Sequence, residues 1–159
     1  LYNVPSRTGC DLLNDTVVRL SQIDNIVAIK DATGDVERGA ALIEAVPDGF
    51  SVFSGDDATA LELMRRGGKG NVSVTANIAA GDMAAMCNFA LAQEWEAAAE
   101  IDARLSDLNH LLFSEANPIP VKWAMAHRGM IEEGIRLPLT PLAEGCRAPL
   151  EQAMETYFV

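Results

Sequence analysis

The sequence predicts an α/β fold: the C-terminal half of a (β/α)8 TIM barrel followed by a C-terminal helical region. Three observations carry this. Short β-branched runs alternate with helical patterns as far as Asn77. The connections between them are short, which implies parallel strands joined by crossovers. From Gly81 onward the strand signals vanish and only helical periodicity remains. Three strands and a strand tail are too few for an open sheet covered on both faces. They are about half of an eight-stranded barrel, which typically needs ~250 residues. Residues 1–94 are expected to run from the end of strand five through helix eight, and 95–159 to form the helical region.

Each element has its own signal. Leu1-Tyr2-Asn3-Val4 reads as the tail of a strand, so a preceding segment is expected. Asn14 is a plausible N-cap for a helix with Val17, Leu20 and Ile23 on one side. Ile26 to Lys30 is short, apolar and β-branched, the pattern of a strand buried on both faces. Asp35 opens a second helix, with Val36, Ala40, Ile43 and Val46 at helical spacing. Phe50 to Ser54 reads as a strand running into Gly55-Asp56-Asp57, and residues 58–66 as a helix stopped by Gly67-Gly68. Asn71 to Thr75, with Val72 and Val74 in alternation, reads as a further strand. Residues 82–93, 95–112, 121–128 and 141–157 read as helices. Asn117-Pro118-Ile119-Pro120 and the Gly129, Gly134, Pro138 stretch interrupt them.

Composition narrows the function. The net charge of −11 argues against nucleic acid as a partner, since that needs a basic surface. Nothing approaches ~18 consecutive apolar residues, so no membrane span is expected. Cys10, Cys87 and Cys146 are widely spaced and odd in number, neither a disulfide framework nor a zinc pattern. They read as free core cysteines in a reducing cytoplasm. No spacing of His, Cys, Asp or Glu resembles a metal site.

In (β/α)8 barrels chemistry sits at the C-terminal ends of the strands. Here those ends carry Tyr2, Lys30, Gly55-Asp56-Asp57 and Thr75-Ala76-Asn77. Lysine is seldom buried without a reason. A neutral amine can attack a ketone to form a Schiff base, while the bland alternative is a strand-end lysine paired with a carboxylate. Tyr2 could relay protons or be an ordinary core tyrosine. Arg7, in Pro5-Ser6-Arg7-Thr8-Gly9, is suited to bidentate capture of a carboxylate, though most loop arginines are simply solvated. Gly55 lets backbone approach a ligand closely. Asp56 and Asp57 are both candidate N-caps, and the cap suits Asp57 better. Val72 could wall an α-keto-acid pocket while its carbonyl meets the ligand. His110, His127, Trp95 and Trp123 read as surface, core or subunit-contact residues.

Five segments taken in order resemble the dihydrodipicolinate synthase family of pyruvate-dependent, N-acetylneuraminate-lyase-like aldolases. They are Tyr2 to Gly9, Ile29 to Gly34, Ser54 to Asp57, Gly70 to Asn77 and Asn117 to Lys122. The resemblance covers essentially the whole chain. It implies a lyase of lysine and diaminopimelate biosynthesis that condenses pyruvate with L-aspartate 4-semialdehyde to 4-hydroxy-tetrahydrodipicolinate. Lys30 would form the Schiff base and Tyr2 relay protons. Arg7 would bind the carboxylate of the aldehyde, Val72 contact pyruvate through its backbone, and Gly55 and Asp56 lie near the second substrate. No metal or separate cofactor is implied. A cytoplasmic homo-oligomer, commonly a tetramer of two tight dimers, is the family's habit.

The resemblance also implies that strands one to four and most of strand five lie outside this chain, and with them a threonine and tyrosine of the proton relay. The N-terminal half of the barrel is therefore an expected partner. Two alternatives stand beside the synthase: another Schiff-base aldolase of the same barrel, such as a sialic-acid lyase, and a non-catalytic interaction module. The sialic-acid lyases usually lack an arginine at the place of Arg7. Paired half-barrels would be a further arrangement, since an open half-barrel exposes strand edges and apolar surface.

Overall fold

A computed structural model describes residues 1–158; Val159, the last residue of the expected helical region, lies outside them. Three parallel strands form one sheet in the order β1 (Tyr2–Asn3), β2 (Ala28–Asp31), β3 (Ser51–Ser54). Tyr2 pairs with Lys30 and Asn3 with Asp31, while Ala28 to Asp31 pair with Ser51 to Ser54. Helices α1 (Pro5–Thr8) and α2 (Asn14–Leu20) connect β1 to β2, and α3 (Val36–Ala45) connects β2 to β3. After β3 come a 3-10 turn (Asp57–Thr59) and α4 (Ala60–Arg65). A second 3-10 turn (Thr75–Asn77) precedes α5 (Ala80–Leu91), α6 (Trp95–Leu111), α7 (Ile119–His127) and α8 (Glu144–Tyr157).

The βα alternation and the helical second part agree with the sequence pattern, and the differences have local causes. The N-cap of α2 is Leu13, not Asn14. The Asn14 side chain instead donates to the Arg38 carbonyl and accepts from Arg38 Nε, which draws it off the helix end. Helix α2 stops at Leu20, and Ile23 is exposed. The Asp35 cap is present, with its carboxylate accepting from Arg38 N at 3.0 Å. The buried line of α3 is Gly39 and Leu42, flanked by half-buried Ile43 and Val46. Gly39 has a steric reason, because a Cβ there would lie 2.6 Å from Leu63 Cδ1.

Strand β2 is packed on one face only. Ile29 and Asp31 are 1% and 6% exposed, whereas Lys30 and Ala28 on the other face are half-buried. The apolar run looks two-sided, yet only the face under the helices is closed. That face forms a small cluster of Val17, Ile29, Leu42, Val52 and Leu63.

The expected strand over Asn71–Thr75 is not a strand. Pairing with β3 occurs earlier: Lys69 N donates to Val52 O, Ser54 N to Gly70 O, and Val72 N to Ser54 O. Beyond Val72 the ladder ends because the Val74 and Thr75 N–H groups both donate to the Asp57 carboxylate. The chain then turns into the 3-10 segment, and Val72 is left 48% exposed rather than in the core.

The larger cluster is built by α4 to α8, with Met86, Leu105, Leu108, Leu112, Leu142 and Leu150 at its centre. It runs across residue 94 without a break, through the packing of α5 on α6. Trp95 and Trp123 pack against it, as expected of core aromatics. His110 is exposed, and His127 stacks on Trp123 beside Glu151. Cysteines 87 and 146 are partly buried, but Cys10 is exposed in the turn after α1 rather than in the core. Among the described residues no helix is long and apolar enough to cross a membrane.

Candidate active site

Strand alternation sets the geometry. Tyr2 and Lys30 occupy paired positions on neighbouring strands and point to the open face of the sheet. The Lys30 Nζ sits 4.4 Å from the centroid of the Tyr2 ring. That contact places a cation or its neutral amine beside an aromatic face and a phenol. Tyr2 is 51% exposed in this chain.

Gly55 stands one residue past β3, held by its N–H to the Asp31 carbonyl at 2.7 Å. A Cβ at this position would meet Lys30 Cε at 2.7 Å, Ala32 Cβ at 2.8 Å and Lys30 Cγ at 3.0 Å. The glycine therefore makes the corridor through which the lysine side chain reaches the strand mouth.

Arg7 lies on α1, a single turn begun by Pro5 and closed by Gly9 at φ 66°. The sequence suggests a loop here, but proline at the first helical position and glycine at the end make one helical turn. Arg7 Nη2 donates to the carbonyl of Asn117 at 2.7 Å, across 110 residues of sequence. The chain between α6 and α7 thus arches to the tip of β1 and orients the guanidinium. Spacing gave no hint of this contact.

Of the two aspartates after Gly55, the structure does not use the expected Asp57 as the cap. Asp56 is the cap: its Oδ2 accepts from Thr59 N at 3.1 Å and Thr59 Oγ1 at 2.7 Å. Asp57 is 1% exposed and its carboxylate faces four donor groups. The donors are Asn71 Nδ2 at 2.7 Å, Val74 N and Thr75 N at 3.0 Å, and Thr75 Oγ1 at 3.1 Å. Thr75 Oγ1 also lies 2.7 Å from Oδ1 of buried Asn109 on α6, and its one hydrogen serves one of these two acceptors at a time. Asp57 therefore anchors the segment that carries Val72. Two adjacent aspartates before a helix are indistinguishable as caps in sequence; the side that faces the interior decides.

Behind the sheet, Asn3, Asp11, Asp31 and Arg38 form a second polar cluster. Its Arg38 bond, joined by that from Asn3, holds the Asp11 carboxyl below the usual carboxylate range, and the same contact raises Arg38. Elsewhere burial raises the Cys87 thiol and the Asp102 carboxyl. A cavity of about 940 Å3 opens between α6, α8 and Asp56; its lining does not include Tyr2, Lys30, Arg7 or Val72. Among the described residues no three His, Cys, Asp or Glu side chains come together as metal ligands.

The arrangement offers a primary amine with a phenol against it at the mouth of a parallel sheet, and an oriented guanidinium on the same rim. That set suits imine formation with a carbonyl compound and capture of an anionic co-substrate.

The family model for the dihydrodipicolinate synthetase family matches residues 1–157. A 4-hydroxy-tetrahydrodipicolinate synthase of Marinobacter nauticus is 58% identical over 155 residues, covering 98% of this chain and 53% of that protein. One from Pseudomonas aeruginosa is 56% identical over 154 residues, covering 97% and 53%. The crystal structure of a chloride-inhibited dihydrodipicolinate synthase from Acinetobacter baumannii, complexed with pyruvate, superposes with a TM-score of 0.97 at 55% identity. It covers 100% of this chain and 55% of that one. The chain thus spans about half the length of the curated relatives it matches.

Proposed function

Because this chain belongs to the dihydrodipicolinate synthetase family, we propose that it carries the Schiff-base half of a pyruvate-condensing lyase. The observation that supports this most is Lys30 at the strand mouth, with Tyr2 in register beside it and Gly55 leaving its side chain room. The Nζ of Lys30 attacks the ketone of pyruvate, and loss of water gives an iminium. The iminium draws electrons from the adjacent methyl group, which loses a proton to become an enamine. The enamine carbon attacks the aldehyde of L-aspartate 4-semialdehyde, whose oxygen takes up a proton to become the hydroxyl, and the amino group of that substrate then attacks the C=N carbon, closing the ring and expelling the Lys30 amine. The product is 4-hydroxy-tetrahydrodipicolinate. The covalent imine supplies the electron sink, so the chemistry needs no metal or organic cofactor.

Tyr2 moves the protons, since its phenol lies over the amine that must lose and regain them. Arg7 binds the carboxylate of the aldehyde, and its bond to Asn117 keeps the guanidinium aimed. Val72 walls the pyruvate pocket beside the end of β3, and Gly55 and Asp56 border the second substrate. In this reading residues 1–94 are barrel and 95–159 the helical region, and a cytoplasmic homo-oligomer completes the enzyme.

The test is to incubate the chain with pyruvate, reduce with borohydride and map the adduct by peptide mass spectrometry. The chain is taken alone and mixed with the N-terminal half of the Marinobacter nauticus relative. A pyruvate-derived mass on Lys30 in either mixture supports the reading. Absence of an adduct in both, with the fold confirmed by circular dichroism, rejects it and leaves a non-catalytic role. Aldehyde turnover that Arg7→Ala leaves unchanged would favour a sialic-acid-lyase-like aldolase instead.

A further inference from the structure

Asn3 follows Tyr2, and Asp31 follows Lys30, so the same alternation that sends one pair to the front of the sheet sends the other to the back. Asn3 is 3% exposed and Asp31 6% exposed. The two hydrogens of Asn3 Nδ2 go to Asp31 Oδ1 at 3.2 Å and Asp11 Oδ1 at 2.9 Å, and Asn3 Oδ1 accepts from Leu12 N at 3.0 Å. Each strong bonding position of the carboxamide that faces these groups is used. Only an amide fits, because two partners are carboxylates and the third is an N–H.

The far ends of the cluster are fixed as well. Arg38 on α3 grips Asp11 through both terminal nitrogens, at 2.7 and 2.9 Å, and also donates to Leu12 O at 2.8 Å. Thr33 Oγ1 donates to Asp31 Oδ2 at 2.8 Å. The Asn3 side chain touches both halves: the strand end next to Lys30, and the turn that leads back to α1 and Arg7. A slip of β1 against β2 would break its bonds and separate Tyr2 from Lys30 in the same movement.

We propose that Asn3 is a positioning residue of the Schiff-base site, fixing from the back of the sheet the Tyr2–Lys30 register and the seat of the Arg7 turn. The proposal rests on the reading of Lys30 given above. Asn3 touches no substrate; it acts through the residues that do.

The experiment compares the borohydride-trapping rate of pyruvate on Lys30 in the unsubstituted chain, Asn3→Leu and Leu42→Ala, in whichever mixture gives the adduct. Leu42 belongs to the cluster under the same sheet and makes none of these bonds. The expected result for folded Asn3→Leu is a tenfold or greater fall in the rate at saturating pyruvate, with half-saturation changed less than threefold. Leu42→Ala is expected to lower the urea midpoint while its folded molecules trap within twofold of the unsubstituted rate. If Asn3→Leu does not fold, Asn3→Ala, which removes all of these bonds with a smaller side chain, carries the test with the same criteria. Folded Asn3→Leu trapping at the unsubstituted rate would overturn the proposal alone, as would an equal loss in Leu42→Ala. Absence of adduct on the unsubstituted chain would overturn the Lys30 reading and this proposal with it.

Discussion

Lys30 Nζ stands 4.4 Å from the centre of the Tyr2 ring, and the two residues are direct partners across parallel strands. The ring and the hydroxyl of Tyr2 therefore have separable duties. We predict that Tyr2→Phe, which keeps the ring, retains pyruvate trapping on Lys30 within about tenfold but lowers condensation by about 10² to 10⁴-fold, the usual range for a lost acid–base group. Tyr2→Ala lowers both. Trapping and aldehyde consumption measured in parallel would show it; equal losses for Phe and Ala would contradict a proton-relay role.

Gly55→Ala tests the lysine corridor. The added methyl meets Lys30 Cε and Ala32 Cβ below 3.0 Å, and Ala32 Cβ is a backbone-fixed atom that cannot swing away. The expected destabilisation is about 1–3 kcal/mol, the range for overpacking, with a tenfold or larger loss of trapping. Urea denaturation and the borohydride assay read the two effects, and an unchanged trapping rate would show that Lys30 has another path.

Asp57→Ala removes the acceptor for two backbone N–H groups and the Asn71 amide, while the Thr75 hydroxyl keeps Asn109 Oδ1. Stranded buried donors cost about 1–3 kcal/mol each. The expected loss exceeds about 3 kcal/mol in urea denaturation. Asp56→Ala, which removes an N-cap, should cost only about 1 kcal/mol. Reversal of that order would mean that Asp57 is not the anchor.

The docking of α8 should depend on alkaline pH. Burial pushes the Tyr157 phenol up to about 12, with the Asp82 carboxylate beside it adding to the rise. The folded state thus holds its proton more tightly than the unfolded chain, whose tyrosine titrates near 10. Stability from this group is complete below pH 10 and falls away between about 10 and 12. Phenolate absorbance followed with the urea midpoint should show loss of stability across that window, and Tyr157→Phe should flatten the curve.

At the acid end the sign reverses. Arg104 lowers Asp82, and Arg38 and then Asn3 lower Asp11, so both carboxylates favour the folded state when ionised. Their contribution is present above the unfolded carboxylate pKa of about 3.9 and is lost as pH falls through the lower folded values. Arg104→Gln should reduce the acid dependence measured by denaturation between pH 5 and 2.

Much of the architecture was legible because it rests on local rules. The alternation of β-branched runs with 3.6-residue patterns gives parallel βα units. The Asp35 cap and the glycine stop after α4 are where spacing puts them. Lys30, Tyr2 and Gly55 were recognisable as strand-end residues, and the structure brings these three together. Arg7 was recognisable by type, but its partner Asn117 lies 110 residues away and no periodicity reports on so distant a contact.

By itself the sequence determined the βα alternation through β3, the strand-mouth positions of Tyr2, Lys30 and Gly55, and the family resemblance. Those follow from backbone propensity, side-chain period and local motif. Tertiary structure decided the rest. It made Asp57 rather than Asp56 the buried anchor, ended the Asn71–Thr75 segment as a turn, and placed Asn3 at the junction of two carboxylates and a backbone N–H. Each outcome depends on which polar groups meet once water is excluded. A buried donor or acceptor must find a partner among groups brought near by folding, and the identity of that partner is a property of space, not of spacing.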